Sequence, residues 1–205
     1  MGLFKGITAA IPGASFSRLL IAGLLLGMSV VAIIPAFTGA VFTSNSNVGA
    51  NTFSTGSVNI STSPTSAVVS FSSGMAPGDK VTAPITVTNG GTLQMRYAVK
   101  STTTENTLAG QLSMTIKTGV TTCSSAGFGT DGTVVYGPAV LGTVAGTNVI
   151  GDPTQGANTG DRTLNASASE VLCIQVSLPL SSGNSFQSLS TTATLDFSAE
   201  QTANN

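Results

Sequence analysis

The chain of 205 residues contains no histidine and no tryptophan, and only 7% of its residues are charged. Histidine is the commonest general base and the commonest metal ligand, so its absence argues against most catalytic centres. Neither a G-x-S-x-G elbow nor a Ser-His-Asp triad can be built. The seven basic residues form no patch that could hold a phosphate backbone, which argues against a nucleic-acid partner. We expect no catalytic residue and no cofactor.

One long apolar run is present, at residues 19–37, and it follows Lys5 and Arg18. That order of basic and then apolar residues is typical of an export signal. Small residues follow the run directly, so we expect signal peptidase to cleave between Ala40 and Val41. Residues 1–40 are then the signal peptide, the product is secreted, and only an uncleaved signal touches the membrane. A retained anchor helix is the alternative.

Cysteine is scarce as well, and Cys123 and Cys173 are the only two. An even pair in an exported chain favours one disulfide, here closing a loop of 50 residues (173 − 123). Two buried free thiols are the alternative. Asn59 and Asn165 each begin an Asn-x-Ser triplet, which fits the N-glycosylation acceptor pattern.

Beyond Ala40, apolar and polar residues alternate with a period of two. This alternation is typical of antiparallel sheets that are wetted on one face. It predicts strands at 81–87, 93–99, 112–116, 172–178 and 193–197, with shorter ones at 58–60 and 67–71. Short strands separated by turns predict an all-β, jelly-roll-like antiparallel β-sandwich over residues 51–205, preceded by the signal helix.

Turn residues separate these strands. "PGDK" (77–80) predicts a turn, and "NGG" (89–91), between two well-patterned strands, predicts a hairpin. Pro84 cannot donate to a ladder, so we expect its strand at a sheet edge. "ENTLAGQL" (105–112) is long enough for one or two helical turns, and the glycine-rich stretch 137–163 predicts a surface connection with a strand or two inside.

A few charged residues lie in informative positions. Asp131, Asp152 and Asp161 stand beside glycine or proline in predicted loops. Such carboxylates can hold Ca²⁺, but they more often support turns by bonding nearby backbone, which is the interpretation we favour. Arg96 and Lys100 share one polar strand face, where we expect them to be solvated.

The order of several short motifs resembles the TasA/camelysin family. The motifs are "NTFSTGSVNIS" (51–61), "MAPGDKVTAPITVTNGGTLQMRYAVKS" (75–101), "VLCIQVSLP" (171–179), "GNSFQSLS" (183–190) and "LDFSAEQT" (195–202). With a signal of the SipW-dependent type they run in order from about residue 15, while 119–163 match no family motif. The resemblance implies a jelly-roll sandwich that forms extracellular fibres of a biofilm matrix or cell surface, similar in build to archaeal bundling pili.

The resemblance also implies that subunits join when the N-terminal strand of one copy fills a groove in the next. Residues 41–50, uncharged and freed by cleavage, are the candidate assembly strand, with Val41, Phe42 and Val48 as apolar anchors. The expected partner is a second copy of the chain, and an accessory anchor or minor fibre subunit is a further candidate. A frayed terminus and a strand in the chain's own sheet are the alternatives.

Two other functions stay open at this point. A type IV pilin-like subunit would keep its apolar helix as the filament core, although Pro12, Gly13 and Pro35 argue against one long helix. Camelysins also carry a metalloprotease label. This chain has neither an H-E-x-x-H motif nor any histidine, so proteolysis is not expected.

Overall fold

The computed structural model of the chain describes residues 52–66 and 74–203. Within these ranges the elements follow one another as β1 (Ile60–Ser63), β2 (Lys80–Asn89), β3 (Met95–Thr103), α1 (Thr107–Gln111), β4 (Ser113–Thr118), β5 (Thr133–Val140), β6 (Thr147–Ile150), β7 (Arg162–Leu164), β8 (Ser169–Ser177), a 3₁₀ turn (Asn184–Phe186) and β9 (Ala193–Gln201). The strands predicted around 81–87, 93–99, 112–116, 172–178 and 193–197 are all present. The strand predicted at 67–71 lies outside the described residues.

The strands form two antiparallel sheets. Sheet 1 has the order β1-β2-β8-β4-β5. In sheet 2, β3 is central: β9 pairs along its whole length, while β6 and β7 pair with its two halves. Because β6 and β7 pair with residues of β3 that also pair with β9, they must lie on the side of β3 opposite β9. The predicted all-β antiparallel sandwich is confirmed.

The core lies between the two sheets and follows the predicted alternation. Sheet 1 contributes every second residue of three strands, and sheet 2 contributes the matching residues of β3. The fully buried members are Ile85, Val87, Met114, Ile116, Leu172 and Ile174 from sheet 1, and Met95, Tyr97 and Val99 from sheet 2. Leu195, Phe197 and Ala199 of β9 pack against this cluster but are only partly buried, because β9 lies at the edge of its sheet.

The predicted hairpin at 89–91 is wrong, because β2 and β3 belong to different sheets. The turn is a crossover, and the side chain of Asn89, fully buried, holds it together. Its Nδ2 lies 2.8 Å from the carbonyl of Leu93, 3.2 Å from that of Leu164 and 3.1 Å from that of Asn165. Its Oδ1 accepts the N–H of Gly91 at 2.9 Å. Asparagine and glycine are needed at this turn, but they allow the chain to change sheets and do not form a hairpin.

The prediction that Pro84 lies in an edge strand is also wrong, since β2 lies between β1 and β8. The reason is local. Among the described residues, β1 pairs with β2 only from Thr86 to Asn89, so it does not reach Pro84. Pro84 faces Cys173 of β8 on its other side. A proline is therefore tolerated within an interior strand at a point where the neighbouring strand has ended.

The connections agree with the sequence in most places. "PGDK" forms the predicted turn, in which Ala76 accepts the N–H of Asp79 and Gly78 has φ 96°. The short helix α1 lies within 105–112, and the carboxylate of Glu105 accepts N–H groups of its first turn. The stretch 137–163 contains β6, as predicted, and the ends of β5 and β7, but most of β5 was not expected.

Replacing Asn89 with alanine is expected to destabilise the fold strongly. The change removes the side-chain hydrogen bonds of Asn89 and leaves backbone groups at the crossover unpaired, which together cost about 3 kcal/mol. Chemical denaturation should show this loss in the free energy of unfolding. Asn148→Ala, at an exposed position on β6, is the matched control and should change stability by less than about 0.5 kcal/mol. Equal stability of the two variants would contradict the role given to Asn89.

Candidate functional site

The outer face of sheet 1 is covered by the loop between β4 and β5, residues 119–132. Cys123 of this loop is joined by a disulfide to Cys173 of β8, with Cα atoms 5.5 Å apart, so the predicted disulfide is present. Lys117 donates to the carbonyls of Phe128 at 2.8 Å and Asp131 at 3.1 Å. Its ammonium lies 4.9 Å from the centre of the buried Phe128 ring, a cation–π contact. The loop therefore packs as part of the domain.

The three loop aspartates act on their own backbone. Asp131 accepts the N–H of Thr121 at 3.1 Å, and bonds from Thr121 lower the pKa of Asp131. Asp152 accepts the N–H of Thr154 at 2.9 Å, which lowers the pKa of Asp152 in the same way. Asp161 accepts the N–H of Asp152 at 3.0 Å. This is the predicted turn-supporting role, and over residues 52–66 and 74–203 no three acidic or cysteine side chains cluster as metal ligands.

The expectation that Arg96 is solvated is wrong, since only 8% of it is exposed. Its Nε lies 2.8 Å from Oε1 of Glu200 on β9, and its Nη2 donates to the carbonyl of Gln201 at 3.2 Å. Glu200 also accepts the N–H of Gly156, so the 151–161 loop covers the outer face of sheet 2. The loop leaves a cleft of about 120 Å³ beside Arg96. Strand alternation does not reveal that a distant loop covers this face.

A second ion pair joins the two sheets. Arg162 of β7 makes a two-pronged contact with Glu170 of β8, with N–O distances of 2.6 to 3.0 Å. Tyr97 of β3 donates its hydroxyl to Glu170 at 2.7 Å. Burial, and then the bond to Glu170, raise the pKa of Tyr97. The contact with Glu170 raises the pKa of Arg162. These groups are held by one another, so we assign them the role of joining the two sheets. No sequence pattern predicts that role.

β9 presents a long, regular sheet edge. It pairs with β3 over nine residues, from Ala193 to Gln201, without a shift in register. No other described strand pairs with it. β5, at an edge of sheet 1, is nearly as long, but its pairing with β4 shifts twice and it contains Pro138. An edge of this kind is a template for a strand from another chain.

A short N-terminal arm, residues 53–56, precedes β1. Phe53 is 94% exposed, so its aromatic ring lies almost entirely in solvent. The carbonyl of Ser57 accepts N–H groups of Thr92 at 3.0 Å and Leu93 at 3.1 Å, which fixes the end of the arm to the crossover. The arm therefore presents an apolar side chain to solvent where the chain enters the domain.

Several residues singled out in the sequence cannot be placed. The signal segment 1–40, the Ala40–Val41 cleavage site and the assembly strand 41–50, with Val41, Phe42 and Val48, lie outside the described residues. Asn59 and Asn165 are both exposed, as an acceptor asparagine must be. Among the helices within the described ranges, none is long and apolar enough to cross a membrane.

Comparison with known proteins gives one result that bears on function. A family model described as camelysin metallo-endopeptidase matches residues 15–127, which is more than half of the chain. The match runs from the predicted signal segment through β1 to β4 and ends inside the loop that carries Cys123. No curated protein matches the sequence.

Removing the disulfide with the paired change Cys123→Ala and Cys173→Ala is expected to lower the free energy of unfolding by up to about 4 kcal/mol, the chain-entropy value for a loop of this length. Hydrogen exchange should quicken in residues 119–132, which the bond ties to β8. The amides of β3 and β9 in sheet 2 serve as the internal reference and should change least. Unchanged exchange in the loop would contradict its dependence on the disulfide.

Proposed function

Because the chain belongs to the camelysin family of surface or secreted proteins, we propose that it is a structural subunit of extracellular fibres, joined by exchange of N-terminal strands. The observation that carries this proposal is the long edge of β9, to which no other described strand is paired. An exposed regular edge is a liability in a monomer and an attachment site in a polymer. Membership of the matched family supports a role at the cell surface or outside the cell, and the edge of β9 provides a means of assembly.

The strand that fills this edge would come from residues 41–49 of a second copy. The segment has no charged side chain, so its burial carries no cost of removing a charge from water. Each backbone hydrogen bond gained along β9 has a net value of about 1 kcal/mol, and burial of Phe42 adds about 2 kcal/mol. Several such bonds support a stable contact between subunits.

The contact is heterologous, since the segment of one copy meets a different surface of the next. Contacts of this type extend without closing unless a rotation brings the ends together, so repetition yields a filament. Release of the segment by signal peptidase completes the proposal, because a terminal segment has no hairpin to hold it in its own sheet. In this proposal the product lies outside the cell, in a matrix or on the cell surface.

A metallo-endopeptidase is the second candidate, because the matched family carries that description. A zinc peptidase needs ligands at a recognised spacing, and the chain has no histidine. Purified protein is therefore expected to leave casein intact, with or without added zinc. Cleavage that a chelator abolishes, in a homogeneous sample, would contradict the structural role and favour the enzyme.

Deleting the assembly segment is expected to separate folding from polymerisation. A chain that starts at Asn51 should fold, keep the Cys123–Cys173 disulfide and stay monomeric in light scattering. Phe42→Asp should act in the same direction, since it would place an unpaired charge in the contact. Val134→Asp, at an exposed site on β5, is the matched control and should assemble normally. Fibres of normal width from the truncated chain would refute strand exchange.

A further inference from the structure

The two ends of the sandwich differ in what they expose. At the proximal end, β2 reaches Asn89, which pairs with Ile60 at the start of β1. The N-terminal arm enters the domain there. At the distal end, β3 finishes at Thr103 opposite Ala193, the first residue of β9. The distal end is formed by the connections 76–79, 104–112, 141–146 and 178–192, which join the strands on that side.

The distal end carries most of the exposed apolar side chains. Apart from Phe53, six large apolar residues of the described chain are conspicuously exposed, and four of them lie at this end. They are Leu180 (81% exposed), Val144 (51%), Leu189 (42%) and Val140 (37%). The stretch 178–192 that carries two of them contains no charged residue. A surface of this composition is suited to an apolar partner.

Hydrogen bonds hold the distal connections close to one another around α1. Gln111 donates to the hydroxyl of Ser182 at 2.8 Å, which fixes the 178–182 segment to the helix. Asn106 accepts the N–H of Val144 at 2.8 Å. Thr104 accepts the N–H of Thr192 at 3.1 Å. Three of the exposed apolar residues therefore stand on connections that are bonded to one short region of the chain, residues 104–111. Val140 ends β5 directly before one of these connections.

We propose that the distal end of one subunit binds Phe53 of the next. This contact rests on the proposed strand exchange, and it specifies the direction in which the donated strand runs along β9. β9 runs from the distal end at Ala193 to the proximal end at Gln201. A strand added antiparallel to β9 runs the opposite way, so residue 49 would leave the edge beside Ala193. Phe53 follows four residues later, within about 13 Å of extended chain.

The occupant is thus a second copy of this chain. Phe53 is almost fully exposed in its own subunit, and antiparallel pairing delivers it to the distal end of the neighbour, where four exposed apolar side chains lie. Parallel pairing would instead carry Phe53 beyond Gln201, to the proximal end. Its burial beside Leu180 and Val144 would set the subunits head to tail with the sandwich axes continuing from one copy to the next.

The contact can be tested by photo-cross-linking in fibres recovered from cells that express the full chain. Phe53 is replaced by benzoylphenylalanine in ¹⁵N-labelled chains, and these are co-assembled with unlabelled wild type. Mass spectrometry should find cross-links between labelled and unlabelled copies, from position 53 to peptides that contain Val140, Val144, Leu180 or Leu189. Fibres that form but give cross-links within one copy, or to the proximal end, would overturn the inference and leave strand exchange standing.

A pair of substitutions provides a second readout. Leu180→Asp should reduce fibre mass at least tenfold while the monomer stays folded, because Leu180 is exposed and supports no core. Val171→Asp, also exposed but on β8 toward the proximal end, should leave fibre mass unchanged. Normal fibres from Leu180→Asp would refute the distal contact. The absence of fibres from wild type itself, together with the absence of cross-links between copies, would refute both this inference and the proposed function.

Discussion

The architecture depends on the buried amide of Asn89, because this side chain lets the chain leave one sheet and enter the other. A turn that simply reversed direction would place β3 beside β2 and complete a hairpin. The crossover instead makes β3 the centre of a second sheet. The side chain of Asn89 donates to carbonyls of two separate segments, Leu93 and Leu164–Asn165. One side of β3 is then paired by β6 and β7, and the other by β9. Among the described residues, no strand pairs with the other side of β9.

On the outer faces of the sandwich, the few charged residues of the chain hold loops against the sheets. One loop is fixed to sheet 1 by the disulfide and by Lys117. Another covers sheet 2 through Glu200, which meets both Arg96 and the N–H of Gly156. These charged groups are paired or bonded to backbone. Within the part of the chain that the structure describes, the edge of β9 and the distal end are surfaces to which a partner could bind. Assembly is the function that we propose for these surfaces.

The sequence predicted what repeats locally and missed what depends on distant contacts. Alternation located the core strands because each turns one apolar face toward the core between the sheets. Turn chemistry at Asn89 marked a turn correctly, but it cannot report which sheet the next strand joins. Strand β5 was not predicted, because its residues Val134, Val135 and Tyr136 do not alternate with polar residues. Arg96 was misplaced because the loop that covers it lies more than fifty residues away in sequence. The edge position of β9 could not be predicted, because it depends on which distant strands pair with β9, and a local sequence pattern does not show that.

The central claim is that β9 of one subunit is completed by the N-terminal segment of another. Electron cryo-microscopy of native fibres, at a resolution that traces the backbone, tests it most directly. The account predicts an extra strand, antiparallel to β9, whose density continues through residues 49–56 into the next sandwich. A β9 edge that is empty, or filled by residues 67–73 of the same copy, would contradict it.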